Sequence, residues 1–281
     1  MSMTTLIQKE HMSGLGLHFV DARVDLSALA SFAQRRLAVL RNVLSPQSAQ
    51  AMRAEALEFQ SVAQKNAQMR HVHSGQLLQR PQALVHQFMS SPHLARLVSE
   101  VAGTELGVCP CANRQTYSLY KADFGCKLNF YEGDDPGIGW HYDKETSWEG
   151  PTYVVIYTIM LRRVEEDAVL PREHSDTPAV YDIFEGGRVK SFEIPENSLH
   201  IHDTRQVFHR AFVPQGYKRS ALIMHFSTAP CRESRRVAGF SARLIAMNAL
   251  GRLRLLEQDD RLVRCLAVLL LLLVFVKLVR R

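Results

Sequence analysis

His141 and Asp143 stand two residues apart in the segment GIGWHYDKE. In an extended chain, residues at that spacing leave the same face. An imidazole and a carboxylate therefore converge there, as two of the three donors of the facial arrangement that binds non-haem Fe(II) and leaves neighbouring coordination positions open. The third donor comes from SLHIHDTRQVFHRAFVPQGYKRSALIMHFS, where His209 closes one apolar run and Arg219, ten residues on, opens the next. Arg219 adds chemistry of its own. A planar guanidinium stays charged when buried and grips a carboxylate through two parallel bonds, which suits it to hold an acidic cosubstrate away from the metal. His200 and His202, also two apart and followed by Asp203, read as sheet positions in the strand leading to His209. His11, His18, His71, His73, His86 and His93 read as surface or core histidines.

The elements that must carry these residues change character along the chain. Leu26 to Leu40 has Leu and Ala at helical spacing. Ser45-Pro46 predicts a helix from about Pro46 to Asn66, because serine caps free amides and proline suits the first helical position. Ser91-Pro92 predicts a second helix, which Gly103 ends. From about Gln115 the texture turns to short β-rich runs, QTYSLYKA, CKLNFY, TYVVIYTIML, AVYDIF, VKSFEI, SLHIHD and SALIMHFS, separated by the turn signals GDDPG, EGG, PEN and PQG. Strands that follow helices without alternating with them indicate an α+β chain with a sandwich or barrel core. The polar segment from Arg162 to Pro178 is long for a connection and reads as a lid or binding loop.

His141 and Asp143, the later His209 and the Arg219 beyond it resemble the Fe(II)- and 2-oxoglutarate-dependent dioxygenases. HRAFVPQGYKRSALIMHFS is similar to the end of the catalytic domain in the prolyl 4-hydroxylase-like branch, and NFYEGDDPGIGWHYD to the approach to the metal pair in AlkB-type demethylases. The resemblance covers roughly Gln115 to Thr228. It implies a double-stranded β-helix, a jelly-roll or cupin-like core, backed by N-terminal helices. It also implies iron on His141, Asp143 and His209, and the far carboxylate of 2-oxoglutarate on Arg219, with Ser220 assisting. Asn129 and Tyr131 would face the same cavity and bind the cosubstrate. The reaction implied couples the oxidative decarboxylation of 2-oxoglutarate by O2, giving succinate and CO2, to oxidation of a C–H bond; ascorbate would be stimulatory. The carboxylate of Asp143 argues against halogenation, and hydroxylation, desaturation and demethylation stay open.

Charge bears on the partner. The chain has 34 Lys and Arg against 28 Asp and Glu, a formal +6, but eleven of the basic and four of the acidic residues lie in residues 231–281. The remaining 23 basic and 24 acidic residues give no excess to neutralise phosphates, which argues against nucleic acid. A small-molecule, lipid-like or natural-product substrate is expected, with a peptidyl prolyl-type residue or an AlkB-like alkylated base as alternatives. Three regions follow: a helical scaffold over 1–114, the catalytic core over 115–230, and a basic linker with a C-terminal hydrophobic helix over 231–281. Within the last, CLAVLLLLLVFV (residues 265–276) has no polar side chain and is bracketed by Arg264 and Lys277. Its length falls short of the about 17 to 25 residues of a spanning helix, but with snorkelling Arg and Lys it reaches from Leu262 to Val279. The expectation is membrane attachment through this tail with the catalytic domain in the cytosol, since MSMTTLIQKEH lacks the pattern of a secretory signal. The five Cys form no CxxC pair, which indicates neither a disulfide framework nor a zinc ribbon. Two other classes remain: a cupin-like metal enzyme without 2-oxoglutarate, in which Arg219 is a structural ion-pair partner, and a membrane-anchored binding protein without turnover.

Overall fold

Serine-proline pairs start helices where their chemistry requires. A computed structural model describes residues 17–20, 24, 26–65, 69–73, 76–77, 80–104, 106–108, 126–132, 137–143, 151–169, 177–227 and 237–256. Helix α1 spans Leu26–Arg35. Helix α2 spans Pro46–Gln60, with the Ser45 side chain accepting from the Ser48 amide. A short α3 (Leu84–Met89) follows, then α4 (Pro92–Ala102), capped by Ser91 at its start and by Gly103 at φ 68° at its end. The left-handed conformation at Gly103 is the helix terminator that glycine permits.

Two stretches with helical spacing end earlier than expected. Arg36 turns to φ 59°, and Leu37–Arg41 becomes strand β1, paired antiparallel with β10 (Ser198–Asp203). Likewise α2 stops at Gln60, and Gln64–Lys65 forms β2 against β3 (Arg70–His73). In both places, pairing with a distant strand supplies main-chain hydrogen bonds and packing that override a weak local propensity.

The remaining strands are β4 (Gly107–Val108), β5 (Cys126–Glu132), β6 (Ile138–His141), β7 (Thr152–Arg163), β8 (Ala179–Glu185), β9 (Arg188–Glu193), β11 (His209–Ala211) and β12 (Tyr217–Ser227). They form two antiparallel sheets. The larger runs β1-β10-β7-β12-β5-β3-β2, with β4 also on β12, and the smaller runs β6-β11-β8-β9. The large sheet thus draws strands from both the N-terminal segment and the β-rich segment. The pairing and the helices that back it are those of a double-stranded β-helix, the architecture expected.

Alternation divides the large sheet chemically. Leu128, Phe130, Tyr153, Val155, Tyr157, Leu199, Ile201, Leu222, Met224 and Phe226 pack with the N-terminal helices in the main apolar core. Their neighbours in sequence point the other way, toward the small sheet, and include Asn129, Val154, Ile156, Thr158, His200, His202, Arg219, Ala221 and Ile223. A register shift in β7 opposite Ser220 and Ala221 inverts the alternation of β7 beyond it, so that Leu161 joins the core between the sheets.

The segment expected to be a polar lid starts later than its sequence suggests. Arg162 belongs to β7 and is buried; its Nε and Nη2 donate to Glu196 at 2.8 and 2.9 Å. Residues 170–176 lie outside the described residues, as do the run QTYSLYKA (residues 115–122) and Cys109, Cys111, Cys231 and Cys265. Cys126 is buried, as a small apolar side chain in the main core.

The membrane assignment is corrected. No helix among the described residues is long and apolar enough to cross a membrane, so the membrane partner, the membrane location and the transmembrane helix are not retained. The C-terminal helix that is described, α5 (Val237–Leu256), is interrupted by polar residues that bond to the small sheet. Asn248 accepts from the Tyr142 amide at 2.6 Å, and Arg252 Nε donates to the Trp140 carbonyl at 3.4 Å. Residues 262–279, on which the expectation rested, lie outside the described residues.

Candidate metal centre and cosubstrate pocket

His141 ends β6, Asp143 follows two residues later, and His209 opens β11, directly opposite His141 in the antiparallel ladder. Ladder pairing therefore joins in space two histidines far apart in sequence. The donor atoms of His141, Asp143 and His209 lie within 4.8 Å of one another. His141 Nε2 is 3.4 Å from Asp143 Oδ1, and His209 Nε2 is 3.4 Å from Asp143 Oδ2.

The hydrogen bonds of the two imidazoles fix which nitrogen is free. His141 Nδ1 lies 2.6 Å from the Gly139 carbonyl and His209 Nδ1 lies 3.1 Å from the Val207 carbonyl. A carbonyl can only accept, so each Nδ1 carries a proton, and each Nε2 faces Asp143. Metal-binding histidines are oriented in this way. Burial opposes ionisation of Asp143, but the surrounding His209, His141 and His202 outweigh it and hold the carboxyl well below its usual range. Burial and the neighbouring His141 hold His209 well below the usual imidazole value. At His141 burial is outweighed by the hydrogen bond and charge of Asp143, which raise its pKa. Metal binding requires neutral imidazoles and an ionised carboxylate, so an incoming ion would displace the proton that His141 shares with Asp143. The donor set fits Fe(II).

Arg219 lies on the inner face of β12. It is 2% exposed, its Nη2 donates to Thr158 Oγ1 at 3.3 Å, and its guanidinium stands over the Tyr131 ring at 5.8 Å. Its Nε is buried without a partner, and no acidic side chain among the described residues pairs with it. Burial lowers its pKa, with Tyr131 and Tyr181 opposing. Arg162, equally buried, shows the usual solution, a bidentate carboxylate. A buried cation without a counter-charge is costly, and an incoming carboxylate would supply what Arg219 lacks.

Asn129 and Tyr131 share the inner face of β5 with Lys127 and pair in register with Ala221 and Arg219. Asn129 Nδ2 donates to the Tyr131 hydroxyl at 2.9 Å, and Asn129 Oδ1 is buried and unsatisfied. Ser220 is not brought to this face. It pairs with Phe130 and follows the helix-facing side of β12, because adjacent residues of a strand point oppositely.

Besides Thr158, four residues of the site escaped the sequence reading. His202 and His200 occupy β10 as sheet positions, and they also face the metal centre: His202 Nε2 lies 2.6 Å from Asp143 Oδ2. Tyr181, from β8, stacks on His209 with centroids 5.0 Å apart and meets His200 edge-on at 4.1 Å. Lys127 is the fourth; burial lowers its pKa while the Asp143 charge opposes the shift. The available signal was the alternation in SLHIHD, where Leu199 and Ile201 take the core face and leave both histidines facing inward.

No family model and no curated protein sequence matches the chain. Solved structures do match it in fold. The non-heme alpha ketoglutarate dependent carbocyclase SnoK from nogalamycin biosynthesis aligns with TM-score 0.53 at 13% identity, over 77% of this chain and 91% of its own. The fold is that of the Fe(II)/2-oxoglutarate-dependent oxygenases. The epimerase SnoN from the same biosynthesis aligns with TM-score 0.51 at 14% identity, over 71% and 81% of the two chains. HygX from Streptomyces hygroscopicus, solved with nickel and 2-oxoglutarate bound, gives 0.51 at 8% identity, over 72% and 87%. The oxygenase fold is thereby shown, while the prolyl 4-hydroxylase-like branch is not distinguished from others.

Proposed function

We propose that this chain is an Fe(II)- and 2-oxoglutarate-dependent oxygenase acting on a C–H bond of a small-molecule, lipid-like or natural-product substrate. The observation that carries the reading is Arg219, a buried guanidinium with no acidic partner among the described residues, on the sheet face that meets the His141, Asp143 and His209 group. A metal-binding jelly roll without 2-oxoglutarate leaves that charge unexplained.

His141, Asp143 and His209 would hold the iron, which when bound supplies the site for O2 and for the keto acid. The chain's own residues do the rest. Arg219 and Thr158 receive the far carboxylate of 2-oxoglutarate, and Asn129 and Tyr131 flank it. Val154, Ile156, Ala221 and Ile223 form a buried apolar cluster on the same sheet, a floor suited to the methylenes of the cosubstrate and to excluding water. Asp143 fills the carboxylate position of the triad, which supports oxygen transfer, desaturation or ring chemistry over halogenation. Structures of like fold are described as a carbocyclase and an epimerase of a biosynthetic pathway, which supports a natural-product substrate.

Purified protein given Fe(II), ascorbate, O2 and 2-oxoglutarate is expected to release succinate slowly without substrate, and His141→Ala or Asp143→Ala is expected to abolish this. Absence of succinate from an iron-loaded wild type, with or without cell extract, would overturn the assignment.

A further inference from the structure

Asp143 follows the last residue of β6, so no ladder hydrogen bond of that strand fixes its side chain. Three imidazole nitrogens surround its carboxylate, and one of them stands much closer than the others. His141 Nε2 and His209 Nε2 stand at 3.4 Å, whereas His202 Nε2 stands at 2.6 Å from Oδ2. His202 comes from β10 in the opposite sheet and is fully buried.

Facing a carboxylate, His202 Nε2 must carry a hydrogen. On the other side of the ring, His202 Nδ1 lies 3.2 Å from His200 Nε2 and 3.4 Å from the Tyr181 hydroxyl, and His200 Nδ1 is buried without a hydrogen-bond partner among the described residues. These contacts form a chain from His200 through His202 to Asp143. It ends on one oxygen only.

We infer that His202 is a positioning residue that holds Asp143 Oδ2 and so keeps the carboxylate bound to the metal through one oxygen. The inference rests on the oxygenase reading given above. A carboxylate free to rotate can chelate through both oxygens and occupy a position that cosubstrate or O2 requires; one pinned by an N–H cannot do so without breaking that bond. His202 is not a fourth ligand. Its Nε2 lone pair is blocked by the proton given to Asp143, and it stands outside the group formed by His141, Asp143 and His209.

The test is anaerobic titration of apoprotein with Co(II), followed by its visible absorption, and then addition of 2-oxoglutarate to the loaded protein. His202→Leu is expected to weaken Co(II) binding by about 10- to 100-fold and to blunt the spectral change that 2-oxoglutarate produces. His202→Gln, which keeps an N–H for Asp143, is expected to restore most of both. The apoprotein melting temperature distinguishes a packing role, and should be alike in the two variants. Wild-type affinity and spectrum in a folded His202→Leu overturn the inference, as does equal loss in both variants tracking a lowered melting temperature. Failure of the wild type itself to bind Co(II) overturns the oxygenase reading instead.

Discussion

Arg219 is the residue at which stability and function pull apart. A guanidinium in the interior loses its hydration, and at Arg162 that loss is offset by two bonds to Glu196. At Arg219 a single threonine hydroxyl and the face of Tyr131 stand in for a counter-ion. Replacing Arg219 with Met should leave the apoprotein as stable as before or more so, because it removes a poorly compensated buried charge. The same change should raise the KM for 2-oxoglutarate by about 10- to 100-fold, equivalent to losing a charge-assisted bond of about 1.5–3 kcal/mol. Succinate release at varied 2-oxoglutarate checks the second outcome and thermal melting the first; an unchanged KM would remove Arg219 from the cosubstrate pocket. The placement of this residue, like that of His141, Asp143 and His209, could be expected from the sequence because spacing along one or two strands sets the face on which each lies. His202 could not, because its role depends on lying across the space between two sheets from Asp143, 59 residues away in sequence.

At the scale of elements, helix α5 backs the strands that carry the metal ligands. It touches residues that alternate with those ligands: Trp140 before His141, Tyr142 between His141 and Asp143, and Phe208 before His209. Phe208 is buried, stacks on Trp140 at 5.5 Å and meets Tyr142 at a tilt at 5.0 Å, so it has little room to move. Gly251 meets its ring edge: a Cβ at this position would lie 2.6 Å from Cε2 and 2.8 Å from two further ring carbons. Gly251→Ala should therefore destabilise the protein by about 1–3 kcal/mol through overpacking, despite the about 0.5–1 kcal/mol that alanine gains in a helix interior. Metal affinity should fall with it, since Phe208 adjoins His209. Urea unfolding alongside Co(II) titration checks both, and a stabilised variant with unchanged affinity would show that the helix can lift without disturbing β11. The region was read from composition as a basic linker, since nothing local in VAGFSARLIAMNALGRLRLL reveals that Asn248 meets Tyr142 beside β6 and that Gly251 meets Phe208 beside β11. The helix caps at Ser45 and Ser91 were legible for the opposite reason: their partners, Ser48 and Leu94, lie three residues away.

For the molecule as a whole, the large sheet separates two environments, and its helix-facing side is where global stability resides. Tyr157 lies there, 4.5 Å from Phe88 between ring centroids, with its hydroxyl donating to Asn197 Oδ1 at 2.9 Å. Asn197 in turn bonds the amide and the carbonyl of Leu44 at 2.8 and 2.7 Å. The phenol thus joins the sheet to the segment that leads into α2. Burial raises the Tyr157 pKa far above the phenol's ordinary value, and burial together with the Asp203 charge raises that of Tyr153, against the opposing effect of Arg36. In the unfolded chain both titrate near about 10. The folded state retains the protons that the unfolded state releases, so the stability linked to them is fully present below about pH 10 and declines as pH rises toward the folded values, by about 1.4 kcal/mol per pH unit for each tyrosine. Unfolding free energy measured in urea should therefore hold level from pH 7 to 9, as far as these groups govern it, and fall steeply above about pH 10. Tyr157→Phe should cost about 1 kcal/mol at neutral pH, for the lost hydrogen bond, and should then fall less steeply than wild type in the alkaline range. The two stability curves should converge as pH rises. Parallel curves for wild type and variant would mean that Tyr157 ionises in the folded protein as easily as in the unfolded one, and that the helix-facing core admits water at that strand.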